Sequence, residues 1–248
     1  MKNLILILAL TFSSFSFGAL PADLDDLWQK RDEKASLELF LQKMEARPHT
    51  DLESLMYLTR GHFLLADVHT QDNDDKLKIF SKAQKFGESG FNPKELDKVT
   101  IEQVDVLYWT AASLGKWAKA NGIFSSLKYK GQILSMISRV DALKPTYFHG
   151  AVPRYWGTYY AVAPSIAGGD MKKSKENFKK SIEMAPEALT TKVLMAEFYW
   201  AKEDDKKEFK KLLEEVIGAP EGPKELAPEN RMEKAKAKKM LENIKDYF

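Results

Sequence analysis

The chain has 248 residues, with 38 basic side chains against 36 acidic ones and no cysteine. A charge balance this close to neutral gives no electrostatic reason to expect a nucleic-acid partner. The missing cysteines exclude disulfides, thiolate metal sites and lipidation of a cysteine that follows a signal sequence. The length suits one elongated repeat domain or two small ones, and beyond the first residues no apolar run approaches the roughly 18 that read as a membrane span.

Residues 1–18 have the features of an export signal. Lys2 supplies the positive charge at the start, residues 4–10 form the short apolar stretch, and residues 16–19 include the small residues of a cleavage site. We expect cleavage after Gly18, because cleavage after Ala19 would leave the bulky Phe17 at a critical position. The expected product is an exported, periplasmic domain over residues 19–248. An uncleaved membrane anchor is the alternative.

Apolar side chains after the signal recur at the 3.6-residue period of an α-helix. The pattern predicts helices over residues 23–46, 51–69, 74–88 and 100–119, and a fifth that follows Gly122 and ends near residue 143. The fourth start is the sharpest, because Thr100 and Gln103 have the spacing of a capping box. Residues 146–157, rich in glycine, proline and aromatic residues, are the least regular stretch and the candidate hinge between two halves.

The C-terminal part repeats itself at a spacing of 34 residues, the period of tetratricopeptide helix–turn–helix units. The shift superposes Asp170 on Asp204, Phe178 on Leu212 and Pro186 on Pro220. It predicts helices over 154–166, 171–185, 187–202 and 204–217, with Asp170 and Asp204 capping the second helix of each unit. We therefore expect an all-α fold of stacked, tetratricopeptide-like helical hairpins. Its clearest repeats are 154–186 and 187–220, and a helix over 228–247 caps the stack.

Motifs for chemistry are missing from the sequence. The four histidines lack metal-ligand spacing, residues 87–90 are one residue short of a nucleophile elbow, and no phosphate-binding glycine loop is present. We expect no enzymatic activity, no metal and no cofactor. An exported hydrolase would need a set of nucleophile, base and metal ligands that the sequence does not display.

Aromatic side chains are the strongest candidates for a binding site. Tyrosine and tryptophan suit pockets that are mostly apolar with a few placed hydrogen bonds. Arg154 offers a bidentate fork for an organic acid. The candidate site is a cavity between the two C-terminal repeats, with Arg154 near its rim, lined by Trp156, Tyr159, Glu197 and Trp200. The alternative is that these rings are ordinary helical core and that Arg154 pairs with a carboxylate at a helix end.

Four segments together resemble one family. They are the run from Gly150 to Ala161, the run from Ala167 to Asp170, the run from Leu194 to Tyr199, and the run from Leu226 to Asn230. Their order and spacing are similar to the T component (TatT) associated with tripartite ATP-independent periplasmic (TRAP) transporters, over about residues 108–248.

The resemblance implies an all-helical periplasmic accessory protein whose partner is the substrate-binding (P) subunit of the transporter. It also implies a trimer with a cavity or pore for an apolar or organic-acid ligand. One departure is that family members are commonly lipoproteins, whereas this chain has no cysteine to lipidate. The alternative function is a general scaffold that binds peptides or envelope-assembly partners. A deep aromatic cavity would favour the transporter function, and an open polar groove would favour the scaffold.

Overall fold

The computed structural model describes residues 20–248, which form eleven α-helices and no strand. The predicted signal lies outside the described residues. The helices are α1 (Ala22–Trp28), α2 (Lys34–Glu45), α3 (Leu52–Val68), α4 (Asn73–Glu88), α5 (Val104–Ala120), α6 (Ile123–Leu143), α7 (Tyr147–Val162), α8 (Met171–Met184), α9 (Leu189–Met195), α10 (Lys206–Gly218) and α11 (Ala227–Glu242). A π-helical turn over Ala196–Trp200 continues α9 directly.

Helices that follow one another in the chain pack as hairpins. The pairs α3–α4, α5–α6 and α7–α8 are the most closely packed, and α9 contacts both helices of the α7–α8 pair. α11 packs against α9 and α10 at the end of the stack. One apolar core lies between α3, α5, α6 and α7, a second between α1, α2 and α3, and a third between α9, α10 and α11. The predicted all-α, solenoid-like fold is confirmed.

The capping box that starts the fourth predicted helix is formed, and the N–H of Thr100 donates to Oε1 of Gln103 at 2.8 Å. A 3₁₀ turn over Ile101–Gln103 leads from it into α5.

The single helix predicted over 23–46 is wrong, because the structure breaks it between Trp28 and Lys34. Arg31 lies in the break with its side chain fully buried. Its guanidinium donates to the carbonyl of Trp28 at 2.7 Å and to the carbonyl of Glu225 at 2.6 Å. The periodic pattern alone could not reveal the break, since one partner of Arg31 lies in the C-terminal part of the chain.

The irregular stretch predicted over 146–157 is shorter in the structure, because the right-handed part of α7 is regular from Ala151 onward. The irregularity is confined to a left-handed kink at Phe148, His149 and Gly150, with φ of 42°, 52° and 72°. A Cβ at Gly150 would stand 2.9 Å from the carbonyl oxygen of Ser181, so glycine allows α7 and α8 to touch. The hydroxyl of Ser181 donates to the Gly150 carbonyl at 2.8 Å and closes the contact.

The two C-terminal hairpins repeat at two different spacings. Buried positions of the first helices match at 34 residues, as Gly157 with Thr191 and Ala161 with Met195. Buried positions of the second helices match at 35, as Ser174 with Phe209, Phe178 with Leu213 and Ser181 with Val216. The π turn inserts the extra residue between the two sets.

The N-cap predicted at Asp204 is therefore wrong by one position. Asp205 caps α10 by accepting from the N–H of Glu208 at 3.0 Å, as Asp170 caps α8 by accepting from that of Lys173. Asp204 instead has a left-handed backbone, with φ of 56°.

Candidate functional site

The candidate site depends on where α11 docks, and Asn230 fixes that position. Its side chain is buried and makes three hydrogen bonds. Oδ1 accepts from the N–H of Leu189 at 3.0 Å, while Nδ2 donates to the carbonyls of Glu187 and Glu221, both at 2.8 Å. These bonds hold the start of α11 against the start of α9, so the outward face of α11 is turned toward the N-terminal helices.

A buried ionic cluster joins α11 to the N-terminal helices. Glu229 accepts hydrogen bonds from Arg31, through Nε at 2.8 Å, and from Arg60 at 2.5 Å. Aromatic rings surround the two cations: Arg31 lies 4.7 Å from the ring of Trp28, and Arg60 lies 5.1 Å from Trp109 and 4.6 Å from Phe148. Burial acts to raise the pKa of the Glu229 carboxyl, but the two guanidinium groups outweigh it and hold that pKa below its usual value.

α3, α5 and α11 carry further charged side chains one or two turns after their residues of this cluster, on the same helical faces. α3 carries Asp67 seven residues after Arg60, and α5 carries Lys116 seven residues after Trp109. α11 carries Glu233 and Lys236 four and seven residues after Glu229. A spacing of four or seven residues returns a side chain to one helical face. The charges of Asp67 and Lys236 both act on the carboxyl of Glu233, so these side chains lie near one another. We call the region between the three faces the cleft, with the Glu229 cluster at its closed end.

The other end of the cleft is open. Nζ of Lys116 lies 2.6 Å from Asp67, and Nζ of Lys236 lies 2.5 Å from Glu197 on the π turn. The lysine side chains are 45% and 42% exposed, against 0% and 8% for Arg31 and Arg60. Exposure thus rises along the cleft from the arginines to the lysines, which form its mouth.

Glu233 lies between the closed end and the mouth. Burial raises the pKa of its carboxyl, while Lys236 and Arg154 act in the opposite direction. Its Oε2 is buried and has no hydrogen-bond partner among the described residues. A buried acceptor without a partner is costly unless water or a ligand satisfies it.

Two of the five residues predicted for the site lie at this cleft. Glu197 forms the mouth pair with Lys236. Arg154 is buried and lies close enough to Glu233 to lower its pKa. Its Nη1 donates to the carbonyl of His149 at 3.2 Å and to the hydroxyl of Thr191 at 3.4 Å. The structure thus places Arg154 in the wall between α7 and α9, not at a rim.

The three predicted aromatic residues lie in different surroundings. Trp156 packs against the core between α3, α5, α6 and α7 and stacks on Tyr160 at 6.0 Å. Tyr159 donates its hydroxyl to the carbonyl of Ala167 at 2.7 Å. Trp200 contacts the apolar groups around α8 and α10 and lies 5.0 Å from Nζ of Lys175. Among the described residues the structure pairs Trp156 with Tyr159 but pairs neither ring with Trp200.

Sequence reasoning missed most of the cleft residues, namely Arg31, Arg60, Asp67, Lys116, Glu229, Glu233 and Lys236. The available signal was the spacing of Glu229, Glu233 and Lys236 on α11. That spacing was consistent with an ordinary solvated face on a capping helix.

The described residues hold no cluster of three side chains suited to a metal ion. None of their helices is long and apolar enough to cross a membrane. Two cavities, of about 260 and 590 Å³, lie at the N-terminal helices, and none of the five predicted site residues lines either of them.

A stack of helical hairpins, without a strand among the described residues, defines an all-α, solenoid-like protein. The chain belongs to the TAtT family, the TRAP transporter T-component, whose family model matches residues 49–248. It is thus an accessory component of a TRAP transporter system. A search of curated proteins gave no match. α1 and α2 lie before the matched residues, yet Arg31 between them is tied to Glu229 within the match.

Proposed function

We propose that the protein is an exported accessory component of a TRAP-type uptake system, one that docks on the substrate-binding subunit and receives an amphipathic organic acid in the cleft. The observation that carries this proposal is the cleft itself, closed by the arginine–Glu229 cluster and open between Asp67, Lys116, Glu197 and Lys236. Export rests on the sequence of residues 1–18, and a homotrimer is included because the family resemblance implies one.

The mouth is suited to docking another protein because its charges are paired and still exposed. Pairs in contact with water contribute little to stability, so their members can exchange partners at small cost. Two such pairs present alternating signs, Lys116 with Asp67 and Lys236 with Glu197. A partner with a complementary pattern would fix its orientation through these four groups.

The deeper part of the cleft is suited to a small ligand. Oε2 of Glu233 is buried without a protein partner, so it can accept a hydrogen bond from a ligand. Arg154 nearby supplies positive charge for a carboxylate, and the rings of Trp109 and Phe148 beside Arg60 supply an apolar surface at the closed end. An amphipathic acid would satisfy all three features with one molecule.

The test of docking compares two lysines on α11. Lys236 lies at the mouth, whereas Lys238 is exposed two residues further along the helix, on a different face. Lys236→Gln should weaken the complex with the substrate-binding subunit by about tenfold, as loss of a charge–charge contact predicts. Lys238→Gln should leave it unchanged. Equal affinities of the two variants would overturn docking at this mouth.

A further inference from the structure

Exposed apolar side chains gather where α6 begins and α7 ends. Phe124 is 85% exposed and Ile166 fully exposed, and three more large apolar residues are more than half exposed. The five residues, which we call the apolar tip, are Ile123, Phe124, Leu127, Val162 and Ile166. They make up more than half of the large apolar side chains that stand exposed in the described part of the chain. Such clustering marks an interaction surface.

One hydrogen bond links the two halves of the apolar tip. Nζ of Lys130 on α6 donates to the carbonyl of Ala167, one residue after Ile166, at 2.7 Å. Leu127 lies one helical turn before Lys130. α6 also contacts α7. Lys130 thus links the α6 half of the tip to the turn that carries Ile166.

Acidic residues are scarce in the sequence around the apolar tip, where Asp170 stands directly after the turn. Residues 120–127 and 155–169 contain no charged side chain, and residues 106–169 contain one acidic residue, Asp141. Lys130 and Lys202 donate to the backbone carbonyls of Ala167 and Ala161, so those hydrogen bonds leave their charges uncancelled. Lys128 adds a further cation on α6.

The turn that carries Ile166 satisfies much of its own backbone. Five backbone N–H groups donate to carbonyls between residues 159 and 165, and they are those of Ala163, Ala167, Gly168, Gly169 and Asp170. The carbonyl of Ala167 accepts from both Tyr159 and Lys130. Backbone groups bonded internally lose little when they leave water, so this turn can enter an apolar phase at low cost.

We propose that the apolar tip inserts into the headgroup region of an anionic phospholipid membrane. Protruding apolar side chains, an uncharged turn with bonded backbone and a border of lysines together match an interfacial anchor. A protein partner would offer a surface of fixed shape, whereas lipid chains adapt to side chains that project separately. This inference is independent of the cleft, so either can fail without the other.

The test uses the purified full-length exported protein and vesicles in a flotation assay. Wild type should bind mixed phosphatidylcholine–phosphatidylglycerol vesicles, bind pure phosphatidylcholine vesicles less, and dissociate as salt rises. Phe124→Ser with Ile166→Ser should weaken binding by about tenfold or more, since two apolar anchors are lost. The control is Ile101→Ser: Ile101 is 53% exposed and lies about 25 Å away, at the other end of α5.

Four outcomes would overturn the proposal. The first is that wild type does not bind the mixed vesicles, and the second is that its binding does not depend on lipid charge or salt. The third is that the double variant and the control lose binding equally. The fourth is that the double variant still binds vesicles but loses self-association or the complex with the substrate-binding subunit. In the last case the tip is a protein interface. Thermal unfolding of each variant ensures that folded proteins are compared. All variants carry the same N-terminus, so that a difference in binding comes from the substitutions.

Discussion

The cleft and the apolar tip use cations in opposite ways. At the two ends of the cleft the cations pair with carboxylates: Arg31 and Arg60 share Glu229, and Lys236 pairs with Glu197. At the tip Lys130 and Lys202 donate to backbone carbonyls instead.

The difference follows from burial. A charge removed from water must be paired and hydrogen-bonded, and breaking such a pair leaves the partner uncompensated. A cation at the surface needs no partner from the same chain. The charges of the closed end are therefore part of the fold, and those of the tip remain available to another surface.

The largest expected effect comes from the shared carboxylate. Glu229→Ala leaves two buried arginines without their acceptor and should lower the free energy of unfolding by about 3–5 kcal/mol. Urea denaturation measures it. Glu225→Ala is the matched control, because Glu225 is exposed and contributes only its backbone carbonyl to Arg31. Similar losses in both variants would mean that the cluster does not hold the two ends of the chain together.

A smaller effect is expected from Glu233, with a defined pH dependence. Its pKa in the folded protein is raised above the ordinary value of 4.5 by burial. Ionisation of Glu233 therefore opposes folding, and the free energy of unfolding falls as pH rises above the ordinary pKa of 4.5. Glu233→Gln should stabilise the protein at neutral pH and have no such effect at pH below 4.5. Melting temperatures across this range test it, and a constant difference at every pH would contradict the assignment.

The smallest effect is expected at the tip. Phe124→Ser with Ile166→Ser removes side chains that touch mainly solvent, so the free energy of unfolding should change by less than about 0.5 kcal/mol. Urea denaturation of the double variant beside wild type measures this. A loss comparable to that of a core truncation would show that these residues stabilise the monomer, and the contrast with the cleft would disappear.

The sequence predicted those elements whose signals are local. The capping box at Thr100 and Gln103 located the start of the fourth helix, and Asp51 and Asp72 cap α3 and α4 close to the predicted starts. The 34-residue repeat identified the two C-terminal hairpins. Each of these signals depends on residues within a few turns of one another.

Features that depend on distant contacts were not predictable in the same way. The break at Arg31 is held by Glu229, 198 residues away. The π turn shifts the register of α10 by one residue without any change in residue type that a periodic pattern would register. The contacts of Arg31, not helix propensity, therefore decide where the first helix stops.

The candidate site shows the same limit. Arg154 and Glu197 were found because they lie within the repeat. Glu229, Glu233 and Lys236 share one helical face, but a stripe of charges on a surface helix and a stripe that lines a cleft have the same spacing. Only the docking of α11 by Asn230 distinguishes them.

The central claim is that this protein docks on the substrate-binding subunit of a TRAP transporter. Calorimetric titration of that subunit from the same organism into the protein, with and without transported substrate, tests it most directly. We expect saturable binding with a simple stoichiometry, weakened by Lys236→Gln and not by Lys238→Gln. Absence of binding in both the substrate-loaded and the empty state, at concentrations where the two proteins are folded, would contradict the claim.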